Sequence, residues 1–301
     1  MTGRDMSGRD MTGHDMTGRD TGVCQATARV AGNAPAAAYR HLTLDAPGIA
    51  QLAQPGQFVA LTVGGPTSAL LLRRSFSIHR VDPAAGTVEI VVSDAGPGTA
   101  WITRLDDGES VDIVGPLGRG FTLPDAPGAA VLIGGGYGSA PMFWLANVLR
   151  ENGFAIHHVL GAASADRLFG AELADPADEL IVTTDDGSQG ERGWVSDPLP
   201  GLLERSGAKA VYACGPMGML RAVTEIATAH GARAEVAVEE AMACGIGVCM
   251  TCVLPVVGAD GVTRMSRSCV DGPVFDGTTV RWDAVVDGRV AVPADCLGAP
   301  R

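Results

Sequence analysis

Aromatic residues make up only 5% of this 301-residue chain, and basic residues are outnumbered, 22 against 34 acidic, for a formal net charge of -12. That balance argues against nucleic acid as a partner, because no broad basic field exists to meet phosphates. No run approaches the roughly 18–20 apolar residues that a membrane-spanning helix needs. The N-terminus also lacks the charged-then-apolar layout of a signal peptide. The expectation is a cytoplasmic protein, whose thiols stay reduced. No Ser–His–Asp set or paired-carboxylate site is evident either. Cysteine is scarce, with seven residues in all, yet four of them crowd into one short segment.

What is present is globular in character. Hydrophobic residues are 46% and charged residues 19%, with Gly and Ala favoured over large side chains. The length suffices for two or three domains, each with its own core. The chain opens on four copies of one pentapeptide, MTGRD, MSGRD, MTGHD and MTGRD. A polar, Gly-rich unit with a period of five suits neither helix nor strand, so residues 1–22 read as a disordered tail. The single His14 reads as part of that repeat rather than as a metal ligand.

From residue 23 to 125 the pattern is of short alternating runs broken by Pro and Gly. "GQFVALTV", "RRSFSIHRVD", "GTVEIVVSD" and "ESVDIVGPLG" each read as a strand, which predicts an antiparallel barrel or sandwich. Between 126 and 239 the grammar changes. "AAVLIGGGYGSAPMFWLANVLRENG" is an apolar strand, a glycine loop and a helix ending near Gly153. Further alternation of buried strand and helix through "AIHHVLGAAS", "DELIVTTDDGS", "AKAVYACGPMGMLRAVTEIATAHG" and "RAEVAVEE" predicts a doubly wound parallel sheet. Residues 240–301 hold the four cysteines and short extended runs, with no helix of their own.

Three motifs carry chemistry. Gly134, Gly135, Gly136 and Gly138 lie after a strand and before a helix, where free N–H groups and the helix dipole meet phosphate. The spacing departs from G-x-G-x-x-G, and a tight strand-to-helix turn would look the same. Cys214, Gly215 and Pro216 end a second buried strand and strengthen the nucleotide reading, although Cys214 also suits a plain buried position. In the barrel segment, Arg73 and Arg74 precede Ser75, Phe76 and Ser77. An arginine fork suits a pyrophosphate and Phe76 a flat ring system, with backbone donors and the Thr99 hydroxyl downstream. A surface arginine pair is the plainer reading of those residues alone. The third motif is Cys244-x4-Cys249-x2-Cys252-x16-Cys269. Zinc sites pair their ligands in two hooks, whereas this three-plus-one spacing is that of plant-type 2Fe–2S proteins. Gly245 and Gly247 let the loop wrap a cluster. Zinc and buried thiols remain the alternatives, and Cys24 and Cys296 read as ordinary thiols.

In this order, "RSFS", "GGGYGSAP", "CGPMGM" and "CGIGVCMTC" resemble the ferredoxin–NADP reductase superfamily. "EEAMACGIGVCMTCVLP" and "RSCVDGPVFD" resemble more closely the family of electron transfer subunits of class B dihydroorotate dehydrogenases, over nearly everything after the repeats. The resemblance implies an FAD-binding barrel, an NAD-binding sheet and a small C-terminal 2Fe–2S domain. It implies FAD contacts at Arg74, Ser75, Phe76, Ser77, Val91, Val92, Ser93, Gly98 and Thr99, and cluster ligation by Cys244, Cys249, Cys252 and Cys269. Ser75 departs from a common Pro, and Tyr137 from a smaller residue. The implied activity is a relay between NAD and the FMN of a separate catalytic subunit, in a heterotetramer of two plus two, serving pyrimidine synthesis. Asp166 favours NAD over NADP, against the opposite pull of Arg167. The rival readings are the flavin subunit of a hydrogenase or of a ferredoxin:NADP oxidoreductase, and a non-enzymatic zinc or nucleotide module.

Overall fold

The computed structural model describes residues 22–65, 67–174, 177–286 and 288–297. The pentapeptide repeats and His14 lie outside the described residues.

Six antiparallel strands close the first barrel: β1 (Cys24–Ala36), β2 (Tyr39–Asp45), β3 (Phe58–Leu61), β4 (Arg74–Asp82), β5 (Thr87–Val92) and β6 (Ser110–Leu117), in the order β1-β2-β5-β4-β3-β6. Alternation drives closure, since every second side chain points inward. Val30, Leu42, Leu44, Leu61, Ile78, Ile90 and Ile113 fill the interior with almost no exposure. Strands β1 and β2 are not among the runs legible in the sequence. In β1 the inward residues are small, with Ala28 beside Val30, so the hydrophobic signal is faint. Two short helices, α1 (Pro47–Leu52) and α2 (Pro97–Ile102), flank the barrel.

The second unit is built on β7 (Ala129–Gly135), β8 (Ala155–Ala162), β9 (Glu179–Thr184), the short β10 (Glu191–Arg192), β11 (Ala210–Cys214) and β12 (Arg233–Ala237). The sheet runs β10-β9-β8-β7-β11-β12, all parallel. Helices α3 (Ala140–Glu151), α4 (Leu199–Ser206) and α5 (Met217–Ala229) connect the strands. Between β8 and β9 the expected helix is replaced by two 3-10 turns, Ala165–Arg167 and Ala171–Leu173.

The C-terminal segment forms a hairpin of β13 (Val253–Val257) and β14 (Thr263–Arg267), then β15 (Val274–Asp276) and a small pair, β16 (Val285–Val286) with β17 (Arg289–Val290). Strand β15 joins the large sheet antiparallel to β12, so the sheet gains one antiparallel edge and the cysteine segment is tied to it by backbone hydrogen bonds.

Candidate functional site

At the centre of the large sheet β7 and β11 are neighbours, with Cys214 in register with Gly134. The strand order reverses here, and in such sheets the carboxyl ends of the two strands open a crevice for ligands. The loop fits into that crevice because Gly134 and Gly138 carry no side chain. A Cβ on Gly134 would lie 2.4 Å from the Ser139 Cα, and one on Gly138 would lie 2.8 Å from the Cys214 carbonyl oxygen.

Two clefts meet at this loop. One, of about 600 Å³, is walled by Arg74, Ser75, Phe76, Ser77 and Val91 of the barrel, by Gly138, and by the segment from Val238 to Met242. The other, of about 610 Å³, is walled by Gly135, Gly136, Pro216, Arg167, Asp185 and Trp194. Tyr137 and Glu239 line both. The Tyr137 hydroxyl donates to Glu239 Oε2 at 3.3 Å, and its ring meets that of Tyr39 edge-on at 5.9 Å. Burial, with Glu239 nearby, pushes the Tyr137 phenol above its ordinary range, and burial raises Glu239 as well.

The two arginines separate cleanly. Arg73 is committed to Asp112, with Nη2 at 2.5 Å from Oδ1. Arg74 donates to the carbonyl oxygens of Leu72 at 2.7 Å and Arg73 at 3.4 Å and has no carboxylate partner among the described residues. A cation without a carboxylate partner at a cleft wall suits a phosphate-bearing ligand. Gly98 makes room for it, since a Cβ there would lie 2.7 Å from Arg74 Nε.

The other named positions stand back from the cleft walls. Val92 points into the barrel core, and Ser93 is half-buried behind the wall. The Thr99 hydroxyl accepts from the Ala95 and Gly96 N–H groups at 2.9 and 3.0 Å and so fixes the start of α2. Cys214 is buried under the glycine loop, and burial pushes its thiol well up. Gly215 packs against Gly135 and Met219. Asp166 takes the Ser164 hydroxyl at 2.5 Å and does not line the second cleft, whose charged side chains are Arg167, Asp185 and Glu239. Sequence reasoning missed Tyr39, Asp185, Trp194, Glu239 and Glu240, which come from a strand start, loops and a strand end with no local pattern. Glu240 is pushed up to about 7 by burial and then by Cys252, and its buried Oε1 has no hydrogen-bond partner among the described residues.

The four cysteines are free thiols that fall into two hydrogen-bonded pairs, Cys244 with Cys249 and Cys252 with Cys269. No three of these sulfurs lie within 4.8 Å of one another, as ligation to one tetrahedral zinc ion would require. Two pairs suit a two-iron core, in which four thiolates serve two metals. The loop turns through left-handed backbone at Gly245 (φ 70°), Gly247 (φ 82°) and Met250 (φ 59°). Its N–H groups face sulfur: Gly247 donates to Cys269 Sγ at 3.2 Å and Val248 to Cys244 Sγ at 3.3 Å. Hydrogen bonds from Thr251 draw the Cys249 thiol down to about 6, and the bond with Cys269 draws Cys252 down to about 6 while raising Cys269. Thiolate is the ligating form. Cys252 and Cys269 pack against Phe58, Ala60 and Leu117 of the barrel, whereas Cys249 is exposed.

Residues 239–281 match the family described as the iron–sulfur cluster binding domain of dihydroorotate dehydrogenase B. Among curated relatives, the "Dihydroorotate dehydrogenase B (NAD(+)), electron transfer subunit" of Geobacillus thermodenitrificans is 39% identical over 78% of this chain and 89% of its own length. The protein of the same name from Desulforamulus reducens is 34% identical over 81% and 92%. Among solved structures, an NADH-dependent reduced ferredoxin–NADP oxidoreductase superposes with a TM-score of 0.76 at 31% identity, covering 86% of this chain and 91% of that one. Phthalate dioxygenase reductase shares the fold at a TM-score of 0.55 and 17% identity, over 78% and 87%. The chain thus belongs to the family of dihydroorotate dehydrogenase B electron transfer subunits.

Proposed function

We propose that the chain is the electron transfer subunit of an NAD-dependent dihydroorotate dehydrogenase, passing electrons between a catalytic partner and NAD in pyrimidine (UMP) synthesis. One observation carries the reading: the sites lie in series. The dinucleotide and flavin clefts share Tyr137 and Glu239 as a common wall, and Phe58 of the flavin cleft touches the buried cysteine pair. The exposed Cys249 then faces outward.

Bound FAD supplies the conversion between two-electron hydride chemistry and the single electrons that a 2Fe–2S cluster carries. The chain itself binds and positions. Residues 23–125 hold FAD, with the Arg74 guanidinium toward its pyrophosphate and Ser75, Phe76 and Ser77 along the cleft. Residues 126–239 take NAD, for which Gly135, Gly136 and Pro216 leave backbone room. Residues 240–301 hold the cluster through Cys244, Cys249, Cys252 and Cys269, whose thiolates require the reducing cytoplasm. The partner is an FMN-containing catalytic subunit, in a heterotetramer of two plus two. It docks on the cysteine loop, where Ile246, Val248 and Met250 are 54%, 76% and 42% exposed; an apolar surface of this kind marks protein contacts.

Iron, sulfide and flavin analysis of the purified chain, with anaerobic NADH titration, tests this assignment. The expected result is two irons and one FAD per chain, both centres being reduced by NADH. Zinc in place of iron, or a flavin that NADH leaves oxidised, would overturn it.

A further inference from the structure

Away from the clefts, three side chains from three adjacent barrel strands converge: His41 of β2, His79 of β4 and Glu89 of β5. One ligand atom from each lies within 4.8 Å of the other two. His41 Nε2 stands 3.0 Å from Glu89 Oε2. His79 Nδ1 stands 2.6 Å from the carbonyl oxygen of Ala140, the first residue of α3. A carbonyl only accepts, so Nδ1 carries the ring proton and Nε2 keeps its lone pair. No hydrogen bond reaches that nitrogen from the described residues.

The backbone is shaped to this arrangement. The pairing of β4 with β5 slips between Ile78 and Arg80, leaving His79 as the extra residue of a β-bulge, and bulges re-aim a side chain. An ordinary ion pair between His41 and Glu89 would require neither the bulge nor a second ring with an idle lone pair. Metal-bound histidines commonly donate their other ring N–H to a backbone carbonyl, which fixes the tautomer and the ring's direction.

We propose that His41, His79 and Glu89 form a binding site for a divalent ion of the zinc class at the junction of the barrel with α3. Two imidazoles and a carboxylate suit zinc, and three protein ligands leave a fourth position for water. The partly exposed His41 and Glu89, at 31% and 20% of their side-chain surface, give the ion access from solvent. Burial holds the His79 imidazole neutral, down to about 4, which is the ligating form. Arg80 bears on both His79 and Glu89 and weakens the site without filling it. The ion would link β2, β4 and β5 and, through the Ala140 carbonyl, brace the barrel against α3.

The test is zinc chloride titrated into the cofactor-loaded chain at neutral pH, read by a competing zinc indicator, for wild type, His41→Gln and Glu89→Gln. All three carry the same cysteines, so the difference between them reports this site. The expected result is one zinc equivalent in wild type that each substitution weakens at least about tenfold, with the thermal midpoint raised by zinc in wild type only. Anomalous diffraction at the zinc edge should place the ion against all three side chains. Equal zinc binding in wild type and both variants, or zinc density only at cysteine sulfur, would overturn the proposal.

Discussion

Arg73 and Arg74 are adjacent in sequence and differ in occupation: the first is spent on Asp112, and the second is left in the cleft. Arg74→Ala is therefore expected to weaken FAD retention by about 1.5–3 kcal/mol, or about ten- to a hundredfold; full flavin occupancy after extensive dialysis would contradict it. Replacing any one of Cys244, Cys249, Cys252 or Cys269 with Ser should remove the cluster's visible absorbance while NADH still bleaches the flavin. Survival of the cluster in two or more variants would reassign the ligands. Glu240 gives a pH test. Its folded pKa, about 7, lies above the ordinary carboxylate value of 4.5, so the folded state holds the proton more tightly and loses stability as pH rises between those values. Melting of Glu240→Gln should gain on wild type across that window, and a difference independent of pH would show the carboxyl to be solvated. The cysteines were legible because their spacing is local. Arg167, Trp194 and Tyr39 reach the second cleft from separate turns and strands, and no window of sequence joins them.

The elements that could be read were those with strong punctuation. Strands β4 and β5 alternate, and β7 runs apolar into a glycine loop, so each carries its period and its stop within a few residues. Strand β1, with its small inward residues, does not, and the 3-10 turns between β8 and β9 replace a helix that alternation alone suggested. The edge strand β15 has only three residues and is defined by its pairing with β12 rather than by any pattern of its own. The tight loop between β7 and α3 has a measurable consequence. Gly134→Ala puts a Cβ against the Ser139 backbone and should destabilise the fold by about 1–3 kcal/mol, the usual cost of overpacking. Chemical denaturation checks this, and an unchanged midpoint would mean that the loop has slack.

Taken whole, the molecule is on this proposal a row of sites whose last member, the cysteine loop, carries exposed Ile246, Val248 and Met250. That order was legible in outline, because each motif sits in its own stretch of sequence. The shared wall of Tyr137 and Glu239 was not, since it exists only once β7 and β12 are placed on either side of β11. The relay is tested most directly by mixing this chain with an FMN-containing dihydroorotate dehydrogenase subunit and following dihydroorotate-dependent reduction of NAD, with size-exclusion chromatography of the same mixture. The account predicts no such turnover by this chain alone, a stable complex on mixing, and coupled turnover that Val248→Asp abolishes while NADH oxidation with an artificial dye is spared. Dihydroorotate turnover by this chain alone, or the absence of any complex, would contradict it.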